Sequence, residues 1–341
     1  QECRAFAQGW VETQREQFKR LGVIGKWEDP YLTMNYHAEA VIAAEFMKLL
    51  MNGALYQGSK PVMWSPVEKT ALAEAEVEYH DHTSHTIWVR FKPRMVGQRD
   101  DLDLRTHDDL RKASIVIWTT TPWTIPQNRA VAYSPNIEYA LYRVDEKAEN
   151  SLAEVGETLI LAKKLAESVF AAAKVTQFTL VRDVPVEQIR NIVLDHPFRR
   201  IEGGINEEGR DEWGYTVPVL PGDHVTDDAG TGFVHTAPSH GDDDYQLYLE
   251  WHKTYPDFKL TYNVEADGTY RAKLPIFGGQ AILTPEGAEG PANVSVIKAL
   301  APKDKGGVGA LLAKGKIKHS YPHSWRSKAP LIYRNTPQWF A

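Results

Sequence analysis

Cysteine is all but missing from this chain: Cys3 is the only one in 341 residues. That excludes a disulfide framework and any metal site built from several thiolates. No apolar run approaches the roughly 20 residues of a membrane-crossing helix, so no membrane is expected as a partner. The opening Gln1-Glu-Cys-Arg has neither an initiating methionine nor the pattern of a signal peptide. A piece of a longer, cytoplasmic chain is expected. A basic excess is lacking too. The net charge is −6, whereas chains that live on nucleic-acid phosphates are usually basic. RNA contact would therefore need local patches, and 94–111 and 314–334 are the candidates. There is no internal repeat, no low-complexity tract and no Gly-x-Ser-x-Gly elbow, so covalent catalysis through serine or cysteine is not expected.

What is present is ordinary in bulk, with 43% hydrophobic and 25% charged residues. Residues 1 to about 57 read as helical. Phe6, Trp10, Phe18 and Leu21 share one face, and Val41, Ile42, Phe46, Leu49 and Leu50 make a second stripe. Gly22 and Asn52-Gly53 are the stops. From about 80 to 300 strands dominate, at 86–91, 114–120, 130–133, 138–144, 158–162, 177–182, 191–194 and 231–236. Helices are expected near 163–173 and 243–253. The absence of a βαβ rhythm favours an α+β, curled or barrel-like domain over a doubly wound sheet. Similar aromatic, proline-punctuated segments at 56–66 and 319–334 suggest that this domain is inserted on two stalks.

Two constellations carry chemistry. In the first, Ile115 to Asn128, a core strand ends on Thr119, Thr120 and Thr121, with Trp123 and Asn128 just beyond. Three hydroxyls that both donate and accept suit a polyhydroxylated or ester-bearing ligand, although threonine also simply favours strands. In the second, Gly230 to Tyr245, a strand carrying His235 meets a turn, and Asp242, Asp243 and Asp244 open a helix. Acidic residues suit a helix N-terminus without any ligand. A metal held by His235, His240 and Asp242 is a rival reading, but adjacent aspartates diverge and chelate poorly. A buried carboxylate is equally a partner for a ligand ammonium, and an imidazole can shape a pocket or position a water.

These stretches, together with Lys60-Pro-Val-Met-Trp-Ser-Pro, Thr70 to Tyr79, Trp118 to Ala132, His235-Thr-Ala-Pro and Pro330 to Phe340, resemble the editing (CP1) domain of the bacterial-type isoleucyl-tRNA synthetases, a class I family. The residues after Thr120, Thr121-Pro-Trp123, distinguish this branch from the valyl and leucyl relatives, which typically continue Thr-Thr-Arg-Pro. The resemblance implies a barrel-like mixed β editing domain at 83–312 and stalks at 64–82 and 313–341. It also implies helical remnants of the class I Rossmann catalytic core at 1–63 and at the chain's end. It implies water-mediated hydrolysis of valine wrongly joined to the 3′ end of the isoleucine tRNA, by a monomer. A binding module for tRNA ends or amino acids, with little turnover, is the alternative.

Carried over residue by residue, Asp244 would hold the α-ammonium and His235 would line the side-chain pocket and exclude isoleucine. Thr119, Thr120, Thr121 and Asn128 would contact the terminal adenosine or the water, and Trp123 would wall the pocket. The His-Ile-Gly-His-like and Lys-Met-Ser-Lys-Ser-like signatures are missing, so ATP- and magnesium-dependent aminoacylation is expected only of full-length relatives. Many of those bind zinc through two Cys-x-x-Cys pairs. Here Ser65, Glu68, Ser324 and Ser327 stand at those positions, and no zinc is expected. Ser239 replaces a more usual glycine.

Overall fold

In the computed structural model, which describes residues 1–94 and 108–340, the N-terminal periodicity produces α1 (Glu2–Arg20) and α2 (Tyr36–Met51). Gly22, at φ +77°, supplies the left-handed step that ends α1. Asn35 caps α2 by accepting from the His37 amide at 3.0 Å. The apolar stripes of both helices are open. Phe6 is 71% exposed and Leu21 70%, and neither helix buries a residue. The unit that holds them, Gln1–Ser59 with Pro337–Ala341, has too few other residues to cover both faces.

Lys60–Thr336 makes a second compact unit, and its sheets carry the strands foreseen from the sequence. β1 (Tyr56–Ser65) and β2 (Thr70–Ala71) belong to a three-stranded sheet with β13 (Ile332–Phe340). Six strands form the largest sheet: β3 (Val77–Phe91), β4 (Ser114–Thr119), β6 (Tyr139–Lys147), β7 (Thr158–Ala162), β8 (Val175–Val184) and β12 (Leu311–Ser324), in the order β12-β3-β4-β7-β6-β8. The third sheet runs β11-β5-β10-β9, from β5 (Ala130–Tyr133), β9 (Val193–Asp195), β10 (Thr216–Pro221) and β11 (Phe233–Thr236). Helices α3 (Ala166–Ala172), α4 (Val186–Ile189), α5 (Asp242–Trp251) and α6 (Ala292–Leu300) complete it. The α+β reading holds, but no sheet closes on itself among the described residues. A bridge between Pro93 and Leu194 links the chain just after β3 to β9.

β4 explains its own sequence. Ile115 and Ile117 enter one apolar cluster and Val116 another, so the strand is apolar on both faces and shows no alternation. β11 is docked beside it by Thr231, whose hydroxyl donates to the Val116 carbonyl at 2.6 Å. A Cβ on Gly232 (φ +84°) would lie 2.4 Å from that of Ala162, which explains the glycine there.

Between β4 and β5 the chain makes a 3-10 turn, Pro122–Gln127, with all six residues buried. A buried turn needs partners for its carbonyls. Tyr270 donates to Trp123, His196 Nε2 to Ile125, Trp213 Nε1 to Pro126 and Tyr215 to Asn128, at 2.5 to 2.9 Å. Burial holds His196 neutral, far below its ordinary pKa, and its Nδ1 accepts from the Phe198 amide. Tyr270→Phe should leave a buried carbonyl without its donor and cost about 1–3 kcal/mol. A lower urea midpoint at unchanged slope would show this; an unchanged midpoint would contradict it.

Candidate functional site

The end of β4 and the buried turn together place the threonines. Thr119 Oγ1 lies 3.2 Å from Thr121 Oγ1 and accepts from the Thr121 amide at 3.1 Å. Thr124, one 3-10 turn after Thr121, donates its hydroxyl to the Thr121 carbonyl at 2.8 Å. That leaves Thr124 Oγ1 as acceptor for His235 Nε2 at 2.9 Å. On the other side of the ring, Asn128 Nδ2 donates to His235 Nδ1 at 2.7 Å and to the Ala130 carbonyl at 2.8 Å. The chain of donors runs from Asn128 through His235 and Thr124 to the backbone of Thr121. It fixes the imidazole as the Nε2–H tautomer.

β11 brings His235 there because it pairs antiparallel with β5, His235 opposite Val131. Burial, and then His240, push the His235 pKa down to about 3. With both nitrogens engaged and no charge near neutrality, this histidine has no lone pair left for a metal. His240 donates Nδ1–H to the Tyr333 carbonyl at 2.9 Å and packs edge-on against Trp123, ring centroids 4.9 Å apart. Burial lowers its pKa to about 4. Asp242 faces Lys60 at 3.5 Å. Among the described residues, no three His, Cys, Asp or Glu side chains are grouped to hold a metal ion.

Asp244 lies in the first turn of α5 and accepts from the Ala237 amide at 2.8 Å, two residues past His235 on the chain. Burial raises its pKa to about 7, against the lowering effect of that hydrogen bond. Ser239 is not a defect: its buried hydroxyl accepts from the Thr261 amide at 2.7 Å.

The structure therefore joins Thr119, Thr121, Asn128 and His235 in one network and sets Trp123 against His240. Asp244 is tied to the same strand-to-helix turn but makes no bond to the threonines. Thr120 faces a small cavity of about 40 Å³, shared with Thr121, Trp123, His82, Glu289 and Asn293, which His235 and Asp244 do not line. Two participants went unforeseen. Thr124 was in view, three residues from Thr121, and a 3-10 reading would have found it. Asn293, whose Oδ1 accepts from the Trp123 amide at 3.0 Å, had no local signal.

On the stalk, the Glu68 carboxylate accepts from Ser324 Oγ at 2.9 Å, and Ser65 Oγ accepts from the Glu68 amide at 3.2 Å. Burial raises the Glu68 pKa, but hydrogen bonds from Ser324, Ser65 and Ser327 outweigh it and the net shift is downward. Such hard oxygen donors, already bonded to one another, do not fit a tetrahedral thiolate zinc.

A family model described as tRNA synthetases class I (I, L, M and V) matches residues 1–341. This chain belongs to the class I tRNA synthetases. It is 55% identical over 343 residues to the isoleucine–tRNA ligase of Ruegeria pomeroyi, covering all of this chain and 33% of that protein. Identity to the ligase of Caulobacter vibrioides is 51%, over 99% of this chain and 33% of the relative. The chain thus spans about a third of the length of the curated relatives it matches. Among solved structures, GlLeuRS-CP1 aligns over 50% of this chain and 61% of its own, at 17% identity and a TM-score of 0.35. The editing domain of the P. falciparum cytosolic leucyl-tRNA synthetase aligns over 52% and 73%, at 11% identity and the same score.

The His235 arrangement has a direct consequence. In the unfolded chain a histidine protonates near 6.5, while folded His235 resists until about pH 3. Its contribution to stability is therefore full above about pH 6.5 and declines as the pH falls below it. Nitrogen-resolved NMR should show the Nε2–H tautomer with no titration between pH 8 and 5. A midpoint inside that interval would contradict the network.

Proposed function

We propose that this synthetase chain is an editing module. It hydrolyses the ester joining a noncognate amino acid, chiefly valine, to the 3′ end of the isoleucine tRNA, and does not itself aminoacylate. The observation that carries this reading is a neutral His235 locked between a strand end of hydroxyls and a turn whose next helix bears a carboxylate of raised pKa. One methylene allows only modest discrimination in a single binding step, and a second, hydrolytic site answers that limit.

In this reading ionised Asp244 holds the α-ammonium through a charge-assisted hydrogen bond. His235 is too weakly basic to take the proton from water near neutrality. It shapes the amino-acid pocket, in which isoleucine is one methylene too large. The hydroxyls of Thr119, Thr120 and Thr121, with Asn128, contact the terminal adenosine or the attacking water, and Trp123 walls the site. Water adds to the ester carbonyl and the 3′ oxygen leaves with a proton, so no covalent enzyme intermediate is required. The chain acts as a monomer, without ATP or magnesium. The Ser65–Glu68–Ser324–Ser327 clasp stands where relatives hold zinc. We further propose that the exposed faces of α1 and α2 are covered by the rest of the longer protein.

The net charge of −6 favours a second reading, a tRNA-end binding module with little turnover. Single-turnover deacylation of Val-tRNA at high protein concentration separates the two; binding without ester loss selects the module. Since the Asp244 pKa is raised from 3.8 to about 7, its carboxylate forms as the pH rises through 7, and kcat/KM should rise with it. Asp244→Asn should flatten that limb and lower deacylation about 10- to 100-fold. Undiminished activity would remove Asp244 from the site. In the same assay His235→Ala should admit Ile-tRNA. Chelation with EDTA should leave the melting temperature unchanged; a fall, with zinc found by elemental analysis, would overturn the clasp.

A further inference from the structure

The acidic balance of this chain is not spread evenly. A groove of about 1040 Å³ in the Lys60–Thr336 unit is lined by Arg199, Arg200, Lys298, Lys303 and Lys305, against the single acidic side chain Glu202. Arg199 is neutralised by Asp195, 2.9 Å away. Among the described residues, the side chains of Arg200, Lys298, Lys303 and Lys305 have no hydrogen-bond or ion-pair partner. The turn after β9 lies far along the sequence from α6 and the turn that follows α6, and the fold brings their charge together. An adjoining cavity of about 240 Å³ shares Arg200 and Lys303 and adds Lys92.

The floor shows a second irregularity. Arg200 and Ile276 both line the groove with positive φ, +59° and +68°. A β-branched residue in that region is strained, and such strain gathers at binding sites. Ile276 is also 40% exposed, presenting an apolar surface among the cations.

Gathered like charges repel one another, and only an anionic partner turns that arrangement to advantage. Four free cations along an open groove suit several negative charges in a row better than one small anion. Chains of this family act in the presence of tRNA. We propose that this groove holds the sugar–phosphate backbone of RNA, a contact whose lining residues are separate from the threonine and His235 network. The inference rests on the groove and on family membership, not on the hydrolytic reading. The ribbon of β3 and β12, with the turn after β12, is a weaker candidate, because Lys318 is paired with Asp81 and Lys328 with Glu78. The other basic stretch read from the sequence, 94–111, lies mostly outside the described residues.

The test measures binding of fluorescein-labelled tRNA to the chain across a salt series. Lys303→Glu/Lys305→Glu and Arg200→Glu should each weaken binding, the double variant about tenfold or more, and reduce the slope of log K against log salt by about one or two. Lys303→Gln/Lys305→Gln should give a smaller loss in the same direction, and it serves where charge reversal impairs folding. The exposed pair Lys253→Glu/Lys259→Glu, outside both basic stretches, is the control. Wild-type affinity in the groove variants, or a loss no greater than the control's, overturns the proposal. So does a loss of binding to phosphatidylserine vesicles with RNA binding intact. Hydrolysis of 3′-valyl-adenosine, which has no RNA body, should be equal in wild type and groove variants. If wild type fails to cleave it, the editing reading falls while the groove is still judged by RNA affinity.

Discussion

A buried 3-10 turn has to find hydrogen-bond partners for carbonyls that no helix ladder will take. In the turn Pro122–Gln127, two prolines remove amide donors and tight winding points carbonyls outward into the core. Tyr270, His196 and Trp213 answer three of them, and Tyr215 answers the carbonyl of the capping residue Asn128. All four also fill volume, and Trp213 and Tyr270 are among the largest fully buried side chains. The same residues thus satisfy the backbone and pack the core. Around this turn the largest sheet, the four-stranded sheet and the loops after residue 260 meet, since its flanks are β4 and β5 and its donors come from elsewhere.

The candidate site is the outward face of that arrangement. Once the turn is held, Thr121 and Thr124 stand one 3-10 turn apart, and Asn128 is held at the start of β5. Between them the ring of His235 has a single comfortable orientation and tautomer. Burial removes its charge, so the histidine acts as a shaped, polar wall. Asp244 is the opposite case. The same kind of burial raises a carboxylate toward neutrality, which makes it responsive to an arriving cation. Desolvation thus moves the two pKa values in opposite directions and favours the neutral form of each group.

Much of the fold was legible in the residues. Ser114–Thr119 could be read as a buried strand, and the structure adds only that both faces are covered, by different clusters. Likewise β5, β7, α3 and α5 lie where periodicity and stop signals put them. β10, Thr216–Pro221, went unread because its prolines and glycine flanks look like a loop; parallel pairing with β5 holds it as a strand. The stripes on α1 and α2 were legible as apolar faces, and their exposure was not, because periodicity records an apolar face without saying what covers it.

By itself, then, the sequence determined the local facts: which strand ends in hydroxyls, which helix begins with aspartates, and where cysteine chemistry is impossible. Tertiary structure alone decided that Thr124 and Asn128 grip His235 across more than a hundred residues, and that four distant side chains serve one turn. It also gathered Arg200, Lys298, Lys303 and Lys305 around one groove. The physical reason is the same in each case. Hydrogen-bond satisfaction and charge density depend on what the folded chain brings within a few ångströms, and separation along the sequence does not record that distance.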